Sequence, residues 1–186
     1  MGPSDEELVA RVVALRDPGA FGQLVERHQS QVRGWLRQLT HDPALADDLA
    51  QDTFIRAWDK LHTFAGTGRF SAWLMRLAYN MFLQYQRKSK SNQRLLERLR
   101  LEQAAGEFDG DEAWGSQHNE WPDLPRFMNI LTDVEMTVLV LSYAYGLSHR
   151  EIGNVIDMPV GTVKSHIRRG KDRIRDHFGL AEVVNE

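Results

Sequence analysis

A short helical pattern, a turn and a long helical pattern follow one another in residues 148–178, SHREIGNVIDMPVGTVKSHIRRGKDRIRDHF. Ser148 and the glutamate three residues later have capping-box spacing, which predicts a short helix that runs to Ile156. Only residues 157–159 separate this helix from the next pattern, and they leave room for no more than a turn. From Val160 the chain is expected to be helical for about five turns. Two helices joined this closely predict a helix-turn-helix.

The long helix of this motif has an apolar and a polar side at about 100° per residue. The side expected to be buried carries Val160, Val163, Ile167, Ile174 and Phe178. The polar side carries Thr162, Ser165, His166, Arg168, Arg169 and Arg173. Guanidinium groups suit guanine edges and phosphates, and small hydroxyls permit close approach, so this side predicts DNA recognition. The alternative is a solvated basic helix, which the preceding short helix and turn disfavour.

Helical patterns also fill the N-terminal half, and no period-two alternation is long enough to predict a strand, so the expected class is all-α. A capping box at Ser4 predicts a first helix to about Arg16. The later helices are expected from the apolar stripe between Phe21 and Leu39, from Asp42-Pro43 to about Leu61, and from Phe70 after a glycine-containing loop over 62–69. Before the helix-turn-helix, a short helix near Phe127 to Leu131 and a capping box at Thr132 are expected.

The third predicted helix has two distinct faces. Asp48, Asp52 and Asp59 lie within about 40° of one another, with Ile55 beside them. A separate apolar face is formed by Ala50, Phe54, Trp58 and Leu61. One face for the core and another that mixes carboxylates with an apolar residue indicate a helix that contacts a partner. A solvated acidic stripe is the alternative.

The fourth predicted helix combines cations with aromatic and amide groups, namely Arg76, Tyr79, Asn80, Phe82, Gln84, Tyr85, Arg87, Lys88 and Lys90. The loop before it contains Phe64, Gly66 and Gly68. Such a mixture can bind phosphates and stack on exposed bases, although core packing explains the aromatic residues equally well. Trp73 and Leu77 are expected to be core residues.

Composition bounds the possible functions. The chain has 186 residues, 42% of them hydrophobic, no cysteine and a net charge of -3. Its charges are segregated, because residues 76–100 hold seven basic residues and one acid, whereas 101–125 hold seven acids and no Lys or Arg. The acidic stretch and its glycines predict a linker. No apolar run is long enough for a bilayer and the N-terminus is acidic where a signal peptide would be basic, so a cytoplasmic protein is expected.

Enzyme signatures are not found in the sequence. The seven histidines have no metal-ligand spacing, and there is neither a nucleophile elbow nor a phosphate loop. We therefore expect no catalytic residue, metal, cofactor or small-molecule substrate.

Two runs resemble a known family, the bacterial RNA polymerase sigma factors. Residues 47–58 and 70–74 are similar to the second conserved region of these proteins, and residues 146–153 and 159–165 are similar to their fourth region. The resemblance covers roughly residues 8–90 and 125–178, and the two-domain plan resembles the extracytoplasmic-function group. It implies a promoter-specificity subunit with an N-terminal domain over 1–90, a linker over 91–124 and a C-terminal domain over 125–186.

The resemblance also implies roles for individual residues. The large subunits of the polymerase core would be bound by Asp48, Gln51, Asp52 and Ile55. The -10 promoter element would be melted and recognised by Phe64, Gly66, Arg76, Tyr79, Asn80, Gln84, Arg87 and Lys88. The -35 element would be recognised in the major groove by Arg150, Thr162, Lys164, Ser165, His166, Arg168, Arg169 and Arg173. An anti-sigma factor is a further implied partner, and it could hold the chain at a membrane that the chain itself does not enter.

The chain departs from the usual family pattern at three places. Asp157 stands in the turn where the family usually has glycine, His149 and Arg150 replace a common Tyr-Glu pair, and Tyr79 stands where many members have arginine. A two-domain helix-turn-helix regulator that acts without polymerase is the alternative function. It leaves Asp48, Gln51 and Asp52 unexplained.

Overall fold

The computed structural model describes residues 2–64, 66, 68–103 and 130–178, with the side chains of 94–103 left out of the description. Within these residues the chain forms only helices, which confirms the all-α prediction. The α-helices are α1 (Asp5–Leu15), α2 (Pro18–Thr40), α3 (Pro43–Lys60), α4 (Phe70–Gln103), α5 (Asp133–Tyr143), α6 (His149–Ile156) and α7 (Val160–Phe178), and a 3-10 turn covers Leu61–Thr63.

Side-chain caps start the helices, at Ser4, Asp42, Thr132 and Ser148 as the sequence predicts and at Asp17 in addition. Ser4, Thr132 and Ser148 each form a complete capping box with the glutamate three residues later. Asp17 and Asp42 accept backbone hydrogen bonds from the first turns of α2 and α3, each of which opens with proline. These caps satisfy amide groups that the helix itself leaves unpaired, so the helix starts are fixed by local chemistry.

The chain divides into two compact units, and α4 contributes to both. The described part of the first unit comprises residues up to Thr63 and from Leu77 onward, and its buried core includes Leu8, Leu24, Trp35, Leu36 and Leu61. The described part of the second comprises residues between Phe64 and Arg76 together with 130–178, and its core includes Leu74, Val138, Leu141, Ile152 and Val163. No helix in the described ranges is long and apolar enough to cross a membrane.

The structure corrects the buried stripe predicted for α7 and the core positions predicted for Trp73 and Leu77 on α4. On α7, Val163 and Ile167 are buried, but Val160 and Phe178 are exposed by 39% and 41%. On α4 the buried residues include Phe70, Leu74, Met75, Ala78 and Phe82, whereas Trp73 and Leu77 are only half-buried and Tyr85 is 40% exposed. Helical period gives the direction of a side chain but not whether another element covers it, and both exposed α7 residues lie at helix ends.

Helix α4 also runs further than the expected domain boundary near residue 90, since it continues to Gln103. The rest of the expected linker and the short helix expected near Phe127 lie outside the described residues, apart from Ile130 and Leu131 directly before the Thr132 cap.

Candidate nucleic-acid interface

The turn between α6 and α7 is held in one tight conformation. Asp157 ends α6 with a left-handed backbone (φ 56°), and its N–H donates to the carbonyl oxygen of Gly153. The N–H of Met158 donates to the same oxygen at 2.9 Å. A Cβ at position 153 would lie 2.6 Å from the carbonyl oxygen of Met158, so only glycine fits there. Backbone contacts therefore hold the turn of the predicted helix-turn-helix in place.

Helix α7 presents most of the predicted polar side to solvent. Its exposed residues are Thr162, Lys164, Ser165, Arg168 and Arg169, with His166 half-buried. The Ser165 hydroxyl donates to the carbonyl oxygen of Gly161 at 3.0 Å, and the Arg169 guanidinium lies 3.3 Å from Nδ1 of His166. Arg150 is exposed on α6. This surface offers hydrogen-bond donors without burying any of them.

Arg173 is the cation of the predicted polar side of α7 for which the structure has an ion pair within the described residues. Its guanidinium lies 3.3 Å from the carboxylate of Glu135 and donates to the carbonyl oxygen of Ile130 at 3.4 Å. Glu135 is buried at the first turn of α5. The guanidinium of Arg173 thus has a carboxylate and a carbonyl oxygen of the protein as partners.

Arg69, just before α4, forms a pair that the sequence did not predict. Its guanidinium donates to both carboxylate oxygens of Glu151, at 2.8 and 2.7 Å, and to the carbonyl oxygen of Gly146. The hydrogen bond from Arg69, with help from Ser148, lowers the pKa of Glu151 to about 2. The same bond raises the pKa of Arg69. No local pattern could have revealed this contact, because the two residues are far apart in the chain.

The acidic face of α3 is open to solvent. Asp48, Gln51 and Asp52 are exposed, and Ile55 is 64% exposed between them. Neighbouring Asp47, in contrast, lies 3.6 Å from Arg33 and 3.5 Å from Arg37. Within the described residues Asp48 and Asp52 form no such ion pair.

The other face of α3 packs inside the first unit. The ring of Trp58 lies 5.1 Å from the ring of Phe21, and the Arg16 guanidinium stands 4.8 Å above it. Thr53 is buried and donates to the carbonyl oxygen of Leu49. The two-faced character predicted for this helix is therefore present in the structure.

Helix α4 separates its cations from its aromatic residues. Of the residues expected at the -10 element, those exposed to solvent are Arg76, Asn80, Gln84, Arg87 and Lys88, and the neighbouring Tyr85 is 40% exposed. Tyr79 stacks on Trp35 at 5.8 Å between ring centroids, and burial raises its pKa. The ring of Tyr79 therefore packs inside the protein. This agrees with the alternative that the aromatic residues of α4 serve core packing.

The loop before α4 joins an aromatic cluster to two special glycines. The ring of Phe64 lies 6.0 Å from that of Phe70 and 5.7 Å from that of Trp73. Gly66 and Gly68 have φ values of +67° and +91°, which side chains rarely adopt. Packing holds Phe64 in place, and glycine permits the left-handed backbone at positions 66 and 68.

Comparison with known proteins identifies the chain. Its residues 24–92 match the family model for Sigma-70 region 2, and residues 123–174 match the model for Sigma-70, region 4. It is 30% identical over 181 residues to the ECF RNA polymerase sigma-E factor of Haemophilus influenzae, covering 93% of this chain and 94% of the relative. It is also 30% identical over 166 residues to the ECF RNA polymerase sigma factor SigW of Bacillus subtilis, covering 86% and 89%. The chain belongs to the ECF RNA polymerase sigma factors.

Solved structures of sigma factors share this fold. CnrH, in complex with the cytosolic domain of CnrY, matches with a TM-score of 0.64 and 24% identity over 96% of this chain and 99% of that one. The sigma factor RpoE of Bartonella quintana, in complex with the anti-sigma factor NepR, matches with a TM-score of 0.64 and 23% identity over 87% and 98%. In this sigma factor, region 2 contains the acidic face of α3 and most of α4, and region 4 contains the helix-turn-helix. The protein is an alternative sigma factor that directs RNA polymerase to promoters.

Proposed function

We propose that this sigma factor binds the polymerase core through the acidic face of α3, which is formed by Asp48, Gln51, Asp52 and Ile55. Carboxylates that form no ion pair within the described chain suit a cationic partner surface, and the exposed isoleucine adds apolar area beside them. The contrast with Asp47, which has its own arginine partners, supports this assignment.

Promoter recognition is divided between two helices in this proposal. The exposed cations and amides of α4, with the glycine loop before it, bind the -10 element, and the assigned residues are Phe64, Gly66, Arg76, Tyr79, Asn80, Gln84, Arg87 and Lys88. Of these, Tyr79 and Phe64 act by supporting the surface, since their rings pack on protein neighbours.

The -35 element is bound by α7 and the start of α6. The assigned residues are Arg150, Thr162, Lys164, Ser165, His166, Arg168 and Arg169. A recognition helix in the major groove needs exposed donors on one side and a rigid turn behind it. The closed turn at Gly153 together with the exposed polar side of α7 is the observation that carries the proposal.

The partners of the chain follow from these surfaces. We assign the polymerase core and promoter DNA as partners from these surfaces. An anti-sigma factor is assigned as an inhibitor because the sigma factor RpoE of Bartonella quintana was solved in complex with the anti-sigma factor NepR. The sigma factor acts by binding and carries out no reaction of its own, and it works in the cytoplasm, where polymerase meets DNA. The proposed parts are 1–90, a linker within 91–124 whose first residues continue α4, and 125–186.

Reconstitution with core RNA polymerase tests the proposal. The purified chain should co-purify with core enzyme, and sequencing of the transcripts should show initiation from a defined set of promoters with shared -10 and -35 elements. A chain that binds one duplex sequence tightly without associating with polymerase would instead favour a regulator that acts alone.

A further inference from the structure

Glu135 is the one charged residue that the structure buries among the described residues, with 2% of its surface exposed. Its carboxylate closes the α5 capping box by accepting a hydrogen bond from the Thr132 N–H at 3.0 Å. Burial raises its pKa, but the bonds from Thr132 and the charges of Arg173 and Arg169 outweigh burial, so the pKa is lowered overall. A buried carboxylate that stays ionised needs such partners.

Arg173 supplies the cation from the middle of α7. It reaches the buried carboxylate at 3.3 Å and the carbonyl oxygen of Ile130 at 3.4 Å. Both acceptors belong to the start of α5 or to the residues before it. One guanidinium therefore connects the recognition helix both to α5, through Glu135, and to the chain before α5, through Ile130. Half of the Arg173 side chain remains exposed.

Gly170 lies one turn before Arg173 on the same side of α7 and is buried. A Cβ there would lie 2.8 Å from Cδ1 of Leu139 and 3.5 Å from Cβ of Glu135. The backbones of α5 and α7 thus approach closely at the point where the ion pair forms. The close contact and the ion pair therefore lie at the same part of the α5–α7 contact.

We propose that Glu135 and Arg173 are positioning residues that set the angle of the recognition helix, and that Arg173 contacts neither a base nor a phosphate of the -35 element. The inference rests on the proposed binding of the -35 element by α7. It distinguishes Arg168, an exposed cation of that helix, from Arg173, whose guanidinium lies 3.3 Å from the carboxylate of Glu135.

Promoter binding by holoenzyme tests this division. The full chain, as wild type, Glu135→Gln, Arg173→Ala and the double variant, is combined with core polymerase, and the Kd for a promoter duplex is measured between low and moderate salt. We expect each single variant to weaken binding by about tenfold, comparable with one mismatched base pair. The double variant should be no weaker than the single ones, because both remove the same interaction. The slope of log Kd against log salt should stay unchanged.

Two further variants sharpen the experiment. Arg168→Ala is the matched control, since this exposed arginine forms no ion pair within the described chain, and it should reduce the salt slope by about one or relax one base preference. Arg173→Lys keeps a cation within reach of the carboxylate and should restore most of the affinity. Circular dichroism checks that each variant is folded, and Arg173→Gln replaces the alanine variant if that one is not.

The possible results distinguish a failure of the inference about Arg173 from a failure of the proposed binding of DNA by α7. A salt slope that falls by about one in Arg173→Ala, with Glu135→Gln binding normally, would overturn the inference and make Arg173 a phosphate contact. Relaxed preference at a single base pair in Arg173→Ala would overturn it in favour of a base contact. Normal binding by an Arg168→Ala, Arg169→Ala variant would instead remove α7 from DNA recognition, which is a failure of the proposed function.

Discussion

At the scale of single residues, Glu151 gives the clearest pH dependence. Its pKa is lowered from 4.5 to about 2 by Arg69, then by Ser148. A lowered pKa stabilises the folded chain above the ordinary value of 4.5, and this contribution is lost as the pH falls from there toward 2. We expect Glu151→Gln to cost about 1 to 2 kcal/mol at neutral pH, since the half-exposed Arg69 is partly screened.

The measurement is urea unfolding between pH 7 and pH 2. The wild type should lose more stability over this range than Glu151→Gln, and Arg69→Met should reproduce the flatter profile. Glu26→Gln, which changes an exposed residue of α2, is the control. Parallel pH profiles for wild type and Glu151→Gln would show that the pair contributes nothing in solution.

A second residue-scale prediction concerns Asp52. Reversal of its charge in Asp52→Arg should weaken association with core polymerase by about 2 to 5 kcal/mol, because a like charge in a desolvated contact repels as well as removing an attraction. Folding should survive, since the side chain is exposed and the apolar face of α3 points elsewhere. Titration of labelled core enzyme measures the affinity, with Glu26→Arg as the matched charge reversal. Unchanged affinity of a folded Asp52→Arg protein would mean that the acidic face is only solvated.

At the scale of elements, the turn of the helix-turn-helix depends on one glycine. Gly153→Ala places a Cβ against the carbonyl oxygen of Met158, a backbone atom that cannot move aside without opening the turn. We expect a loss of about 1 to 3 kcal/mol in the free energy of unfolding, as for other overpacked sites. Thermal unfolding of the full chain measures it.

Gly161→Ala is the control for this prediction. Nothing lies within 4 Å of a Cβ at that position, and the residue is inside α7. Alanine should stabilise the helix there by about 0.5 to 1 kcal/mol. Equal effects of the two substitutions would contradict the role given to the turn.

The elements themselves follow largely from sequence because their determinants are local. Ser4, Thr132 and Ser148 predicted three helix starts, and the structure has capping boxes at all three. The burial of Val160 and Phe178 was predicted wrongly, since coverage of a helix end depends on the length of its neighbour. The pairs of Arg69 with Glu151 and of Arg173 with Glu135 join residues distant in the chain, so no sequence period could indicate them.

At the scale of the whole molecule, the negative net charge should weaken DNA binding by the free chain. The net charge is -3, with basic and acidic residues in successive segments. Because sequence-independent DNA binding depends on net phosphate neutralisation, we expect the free chain to bind a promoter duplex at least about 100-fold more weakly than holoenzyme does. Fluorescence anisotropy over a salt series measures both. Tight, sequence-specific binding by the free chain would favour the regulator that acts without polymerase.

In the proposed function of this sigma factor, α7 recognises the promoter while α3 binds the polymerase. Transcription from a -35-dependent promoter by holoenzyme that contains the Arg168→Ala, Arg169→Ala variant tests this claim most directly. Both residues are exposed on α7, so the variant should fold and bind core enzyme with normal affinity. The predicted result is a loss of promoter-specific transcripts of about tenfold or more, which corresponds to about 1 to 3 kcal/mol for each lost contact. Unchanged transcript levels from that promoter would contradict it.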